Sequence, residues 1–391
     1  MSEQLEADAL IDFIRNLYPN TESIPLHAPQ FSGNEKKYIC DAIDSTYVSS
    51  IGGFVEKFEG LIKAFTGACS AAATVNGTSA LHAALHLSDV QPGDFVITQP
   101  LTFVATCNAI AYLKAEPIFC DVSPVTLGLC PQSVEQFLEN HAEFDGKLCR
   151  HKATGRKIAA LMPMHTFGHP AQMAELLDIS AAWGLALVED AAESLGSQYK
   201  GKHTGTFGKF GAFSFNGNKI ITTGGGGMLL AGNEEDGKLA KHVTSTARLP
   251  HSFEFLHDQI GFNYRMPNLN AALGCAQFER ITDYIKKKRK LAKSYQNYFQ
   301  NSDTLSFIEE PPGTRSNYWL NAVVCADKGH RDYLISALNE KNIGARPIWK
   351  LMNQLPMYRD ALAAELANSE YFGSRVVCLP SSPPSLDKLD I

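Results

Sequence analysis

The sequence predicts an α/β fold with a large domain on a mostly parallel central sheet and a smaller C-terminal α/β domain. Three observations carry this. From Ala71 to Leu230, short apolar runs alternate with stretches of helical spacing, the βαβ rhythm that builds a parallel sheet clothed by helices. The chain has 391 residues, more than one core usually covers, since single cores stop growing near roughly 250 to 300 residues. Beyond Leu230 the rhythm yields to a loop-rich aromatic stretch, a long helical pattern and a second set of strands. The expected division is 1–250 for an N-terminal segment and the large domain, and 251–391 for a linker helix and the small domain.

Taken in order, residues 5–17 read as a short amphipathic helix ended by Pro19-Asn20. Residues 34–46 and 54–65 repeat the helical spacing, the latter through Phe54, Phe58, Leu61, Ile62 and Phe65. A strand at 71–75 feeds Asn76-Gly77-Thr78 and then a helix bearing Leu81, Ala84 and Leu85. A small-residue turn opening a helix is an anion site, because the first backbone N–H groups have no helical partner, and phosphate is the obvious guest. A strand at 95–98, a helix at 104–113, a strand at 117–120 and a helix at 133–139 continue the rhythm. Residues 141–156 are polar and read as an exposed excursion, a small hairpin. The strand at 158–162 delivers Met164, His165 and Thr166 to the sheet edge, and a helix follows at 170–182.

The stretch from Leu185 to Leu230 reads as apolar strand, acidic cluster, glycine-rich turns, a second strand ending near Ser214, one lysine, and a glycine run opening a third strand. Asp190 ends the first strand and Lys219 lies just beyond the second, so a carboxylate and an amine can converge on the sheet rim where open α/β sheets bind ligands. Farther on, one helix is expected over 269–299, strands at 305–308, 319–325 and 343–346, and helices at 331–339 and 362–369.

Composition narrows the function. Hydrophobic content of 45% and charged content of 19% are ordinary for a globular protein. A net charge of -6 argues against a general nucleic-acid surface, and the KKKRK run at Lys286 to Lys290 reads as a solvated helix face. Nine cysteines stand singly without a CxxC pair, suggesting no zinc site, no disulfide scaffold and a reducing, cytoplasmic setting. An acidic N-terminus and the lack of a long apolar run suggest neither export nor a membrane span.

Pyridoxal 5′-phosphate would use the pieces at the rim together. A lysine forms the Schiff base with its aldehyde, a carboxylate keeps the pyridine nitrogen protonated, and backbone donors with hydroxyls receive the phosphate. Lys219, Asp190, and Gly77, Thr78 and Ser79 with Ser214 fill those roles, and Phe103 can stack on the ring. His165 is a candidate acid or base, against the plainer reading of a hydrogen-bonded structural histidine. The rival nucleotide-binding reading lacks GxGxxG at the first strand and GxxxxGK[ST], and a serine hydrolase lacks GxSxG.

Seven ordered pieces resemble the DegT/DnrJ/EryC1/StrS family of sugar aminotransferases: NGTSAL from Asn76, LTFVAT from Leu101, HTFG from His165, VEDAAESLG from Val188, GAFSFNGNK from Gly211, GGGG from Gly224 and GFNYRM from Gly261. The resemblance implies the fold type I architecture of aspartate aminotransferase and a homodimer with shared active sites. It makes Lys219 the Schiff-base lysine, Asp190 the partner of the pyridine nitrogen and Phe103 the stacking residue. Thr78, Ser79 and Ser214 would contact phosphate, with Asn263 reaching it from the neighbouring subunit. Glu193 stands near the cofactor's 3′-hydroxyl where the family commonly has Gln. Relatives with histidine at the lysine position are dehydratases, so Lys219 favours transamination from L-glutamate to a nucleotide-linked 4-keto sugar.

Further pieces, including YVSSIGGFVEKFE and GARPIWKLMNQLPMY, look most like the LegC-type branch. That implies a UDP-2-acetamido-2,6-dideoxy-4-keto-hexose acceptor, for surface polysaccharide or nonulosonic and bacillosamine sugar synthesis. Arg346 and Trp349 would sit in or near the acceptor pocket, and Arg265 would aid the amino donor or the diphosphate. The alternative acceptor is GDP-4-keto-6-deoxymannose, as in perosamine synthesis.

Overall fold

The apolar runs of the first part of the chain pair into one seven-stranded sheet in the computed structural model, which describes residues 3–384. Its strands are β1 (Ser70–Thr74), β2 (Phe95–Thr98), β3 (Glu116–Phe119), β4 (Ile158–Met162), β5 (Ala186–Asp190), β6 (Phe210–Ser214) and β7 (Gly227–Ala231), in the spatial order β1-β7-β6-β5-β4-β2-β3. The sheet is parallel as predicted except for β7, which runs antiparallel to both β1 and β6. Nearly every strand residue is buried, as it must be when both faces are covered.

Helices α1 (Glu3–Leu17), α2 (Glu35–Asp44) and α3 (Gly53–Thr66) precede the sheet. Between its strands lie α4 (Gly77–Leu87), α5 (Val104–Tyr112), α6 (Pro131–His141) and α7 (Met173–Ala182), and α8 (Glu234–Thr244) follows it. Strand alternation divides the core. Val96, Val188 and Leu229 meet Leu85 of α4, Ile110 of α5 and Ala240 of α8 on one face. Ile97, Leu161 and Leu187 meet Leu138 of α6 and Leu176 of α7 on the other. The polar excursion is a hairpin, pairing 142–144 with 149–151.

The single helix expected over 269–299 is two, α9 (Asn268–Phe278) and α10 (Ile281–Phe299). No glycine or proline marks the break. Arg280 leaves helical geometry at φ -106°, ψ 0°, while Glu279 accepts hydrogen bonds from Asn34 and Tyr38 and Arg280 donates to Asp283. Tertiary bonds therefore override a sequence with uniform helical spacing. Within the basic run of α10, Lys288 departs from the solvated-face reading. It is fully buried and donates to the carbonyls of Trp319 and Ser381.

A second, antiparallel sheet orders β8 (Leu305–Phe307), β9 (Asn321–Cys325), β10 (Arg346–Pro347) and β11 (Val376–Leu379) as β8-β9-β11-β10, with α11 (Lys328–Glu340) and α12 (Ala367–Arg375) beside it. Ile343, expected in a strand with Arg346, instead bridges Ile24. Residues 362–364, expected to be helical, bond to Phe119 at the edge of the large sheet, and the helix starts at Ala367. The N-terminal segment packs with this second layer: Leu10 and Ile14 of α1 share a core with Tyr295, Val323, Leu334 and Leu338. The packing thus joins the first helix of the chain to its last third.

Candidate active site

One cavity of about 380 Å³ lies at the C-terminal ends of β5 and β6. Strand alternation decides which of the two acidic residues ending β5 enters it. Asp190, the last residue of β5, lines the cavity, while the preceding Glu189 accepts backbone N–H bonds from Gly205, Phe207 and Gly208. Thr106 of α5 donates to Asp190 Oδ2 at 2.7 Å, and the Ala192 N–H donates to Oδ1 at 3.2 Å. Burial raises the Asp190 carboxyl above its ordinary range, and these two donors together with nearby Lys219 pull it back.

At the opposite end of the cavity α4 begins. Asn76 caps it, its side-chain oxygen accepting the Ser79 N–H at 2.8 Å. Gly77 and Thr78, the first two helical residues, line the cavity with N–H groups that have no partner within a helix. Ser214, the last residue of β6, faces them so closely that a Cβ on Gly77 would stand 2.9 Å from the Ser214 Cβ. The glycine run has the same purpose. A Cβ on Gly227 would lie 2.4 Å from the Asn76 carbonyl oxygen and 2.7 Å from the Gly77 nitrogen, so the start of α4 rests directly on the backbone of β7.

Lys219 reaches the cavity from the turn after β6. Its Nζ lies 3.3 Å from Glu193 Oε1 and 3.9 Å from the centre of the Trp319 ring. The Trp319 indole N–H donates to the Asn218 carbonyl at 2.6 Å and so is anchored to the lysine's own turn. Glu193 is buried, and its Oε2 accepts the Phe167 N–H at 2.9 Å. Burial pushes the Glu193 carboxyl up to about 7, opposed by Lys219 and the Phe167 N–H and reinforced by Asp190. Phe103 caps α5 half-exposed at the cavity, and Trp349 closes its wall with Phe167 behind it at 5.5 Å between ring centres.

Of the residues singled out from sequence, the cavity thus gathers Gly77, Thr78, Phe103, Asp190, Glu193, Ser214, Lys219 and Trp349. Five lie elsewhere. Ser79 is buried just behind the helix start, its N–H taken by Asn76. His165, expected as an acid or base, does not line the cavity: it is fully buried, receives the Ala171 N–H on Nδ1 at 3.0 Å and meets Glu189 through Nε2 at 3.1 Å. Both ring nitrogens are therefore committed away from the cavity. Asn263 is exposed, and Arg265 lines a separate groove with Glu56, Glu59 and Lys241. Arg346 lines an adjoining cavity of about 610 Å³ with His27, Asn342 and Trp349, and Asn218, Trp319 and Trp349 line both cavities. Sequence reasoning missed Trp319, placing it inside a strand that begins only at Asn321; its position within SNYWLNAV was the available signal.

A phosphate-sized helix start, a buried carboxylate and one lysine at the rim of such a sheet define a cofactor-dependent transferase of the α/β class. The sequence profile of the DegT/DnrJ/EryC1/StrS aminotransferase family matches residues 29–389. The chain is 39% identical to the putative pyridoxal phosphate-dependent aminotransferase EpsN of Bacillus subtilis, over 92% of this chain and 91% of EpsN. It is 35% identical to the GDP-perosamine synthase of Escherichia coli O157:H7, over 92% and 93% respectively. Its fold matches the aminotransferase TlmJ from Streptoalloteichus hindustanus with a TM-score of 0.84 at 24% identity, covering 94% of this chain and 96% of TlmJ. This chain belongs to the DegT/DnrJ/EryC1/StrS aminotransferase family, and it is an enzyme.

Proposed function

We propose that the protein is a pyridoxal 5′-phosphate-dependent aminotransferase that carries an amino group from L-glutamate to C4 of a nucleotide-linked 4-keto-6-deoxy sugar. The observation that carries this reading is the convergence of Lys219, Asp190 and the Gly77–Thr78 helix start on one cavity. The residues present fit the cofactor. The cradle between Gly77 and Ser214 admits no side chain and exposes helix-terminal N–H groups suited to a phosphate. Asp190 would hold the pyridine nitrogen, whose positive charge would keep this buried carboxylate ionised. Phe103 would cover one ring face, and Glu193 would stand beside the ring hydroxyl. When bound, the cofactor supplies an aldehyde that exchanges for an amine and a ring that draws electrons from the reacting carbon.

The chain's own residues do the rest. Lys219 would hold the aldehyde, would take the α-proton of the donor, and would return a proton when the acceptor is aminated. Trp319 and Trp349 line the cavity with apolar surface beside Lys219. Lysine at position 219 supports transamination over dehydration.

For the acceptor, the 35% and 33% identities to GDP-perosamine synthases of Escherichia coli O157:H7 and Vibrio cholerae favour GDP-4-keto-6-deoxymannose. A UDP-linked 4-keto sugar, as the LegC-like motifs imply, is the second reading. A homodimer is part of the proposal. Asn263 is exposed on its own subunit, and the neighbouring segment presents Phe253, Phe255 and Ile260 to solvent at 91%, 74% and 84% exposure, an apolar surface suited to a second copy.

The test is an absorption spectrum of the purified protein with pyridoxal 5′-phosphate, before and after L-glutamate, followed by GDP- and UDP-linked 4-keto sugars. The expected result is a visible band that L-glutamate bleaches and one of the two sugars restores. A Lys219→Ala variant showing the same band and the same bleaching would overturn the role of Lys219.

A further inference from the structure

Among the described residues, Glu193 is the one carboxylate hydrogen-bonded to Lys219, and its surroundings are more elaborate than an ion pair requires. Its Oε1 meets Lys219 Nζ at 3.3 Å, and its Oε2 is held by the Phe167 N–H at 2.9 Å. Phe167 delivers that N–H from a left-handed conformation, φ 58°, which a non-glycine residue adopts only when its surroundings impose it. Gly168 follows at φ 91°, in a turn where a Cβ would stand 1.9 Å from Asn317 Oδ1. The side-chain amide of Asn317 in turn donates to the Glu193 backbone carbonyl at 2.8 Å. Carboxylate and main chain are thus both fixed, while the lysine they face sits on a turn and has a long flexible stem.

We propose that Glu193 is the proton store for Lys219. In one state the site holds an ammonium against a carboxylate; in the other, a neutral amine against a carboxylic acid. The exchange breaks one N–H bond of Nζ and forms one O–H bond at Oε1, the nitrogen keeping the electron pair, so charge inside the buried site is conserved. A lysine must be neutral to attack an aldehyde or take a proton, and Nζ lies over the Trp319 ring, which offers it no proton acceptor. A fixed acid partner makes the neutral amine reachable without moving a proton to solvent. This role deepens the aminotransferase reading and rests on it.

Other groups facing the pair do not serve. Asp190, at the end of β5, is engaged by Thr106 and the Ala192 N–H. Cys378, on β11, is a thiol that burial and Glu193 itself hold protonated. His27, from the N-terminal segment, is kept neutral by burial and by the charges of Lys288 and Lys219. Phe167 offers only its backbone N–H. Burial raises the Glu193 carboxyl to about 7, so it is able to hold a proton near neutral pH.

The test uses the full chain freed of cofactor and reads the amine directly. The rate at which an amine-specific acylating reagent modifies Lys219 is followed by mass spectrometry of its peptide from pH 6 to pH 9. A pair sharing one proton has a constant fraction of neutral amine between its two macroscopic ionisations. The wild-type rate is therefore expected to rise to about pH 7 and to level off above it. In Glu193→Gln, which keeps the acceptor for the Phe167 N–H, the rate is expected to climb without a break, about tenfold per pH unit. Glu193→Asp should restore a break at a different pH. Identical profiles for wild type and Glu193→Gln would overturn the proposal, as would a level region retained in the glutamine variant. Should Glu193→Gln fail to fold by circular dichroism, a wild-type profile with no level region overturns it as well. Because no cofactor is present, this outcome is separable from failure of the aminotransferase reading, which the visible band decides.

Discussion

Asn317 donates its side-chain amide to the carbonyls of Glu193 and Leu195, at 2.8 and 3.0 Å, while its Oδ1 accepts the Trp319 N–H at 2.8 Å. One buried amide thereby locks the segment carrying the tryptophan beneath Lys219 to the loop carrying the carboxylate beside it. Asn317→Ala leaves two buried carbonyls and one buried N–H without partners. It should cost about 3 kcal/mol of stability in urea unfolding. It should also lower the rate of bleaching by L-glutamate more than the affinity for the cofactor.

The approach of β7 to the start of α4 makes a second prediction. Gly227→Ala places a methyl 2.4 Å from a backbone oxygen, which cannot move without shifting the helix N-terminus. Overpacking of this kind costs about 1–3 kcal/mol. The displaced N–H groups should weaken pyridoxal 5′-phosphate binding by about tenfold or more, measured by titrating the cofactor-free protein. Gly60→Ala, at an exposed position in α3 with nothing within 4 Å of the new Cβ, is the control and should be neutral or stabilising.

Acid should loosen the fold through its buried histidines. The His203 ring accepts the Gly196 N–H on Nε2 and meets the Thr204 carbonyl through Nδ1, an arrangement that requires a neutral ring. Burial lowers it to about 4 from 6.5, and His169 behaves alike. A depressed histidine contributes stability that is complete above pH 6.5 and is lost as pH falls from there towards 4. In His203→Gln the difference in unfolding free energy between pH 7 and pH 5 should shrink by about 2 kcal/mol. An undiminished difference would assign the acid sensitivity to other groups.

Under the proposed reaction, Arg346 and Trp349 should separate the two half-reactions. Arg346 lines only the adjoining cavity, so Arg346→Ala should raise KM for the sugar nucleotide about tenfold while leaving bleaching by L-glutamate unchanged. Trp349 lines both cavities, and Trp349→Ala should disturb both steps.

Much of the site was legible in the sequence because its residues stand where strands end and a helix begins. Asp190, Ser214, Lys219 and Gly77 follow from the rule that open α/β sheets bind at their carboxyl rim. Trp319 and Asn317 were not legible as site residues, since they arrive from a different layer and no local pattern announces which face a loop residue turns to. That His165 stays out of the cavity was not legible, because a histidine leaving a strand at the rim can point to either side; it meets Glu189, whose own direction follows from pleating. The break at Glu279–Arg280 and the reversed direction of β7 likewise depend on partners distant in sequence. Helical spacing is silent about the first, and an apolar run reads the same in either direction.

That reversed strand also sets the order of assembly. β1 pairs along its whole length with β7, residues 70–74 against 227–231, so a contact of very long sequence separation closes the sheet beside the phosphate cradle. Contacts of this kind form late, because the loop they close is entropically costly before it is rewarded. A chain emerging from the ribosome can complete β2 to β6 while the Asn76–Gly77 turn still lacks its floor. Capture of the cofactor's phosphate should therefore report on the last step of large-domain folding, and supplying the cofactor during refolding should raise the yield without accelerating the earlier phases.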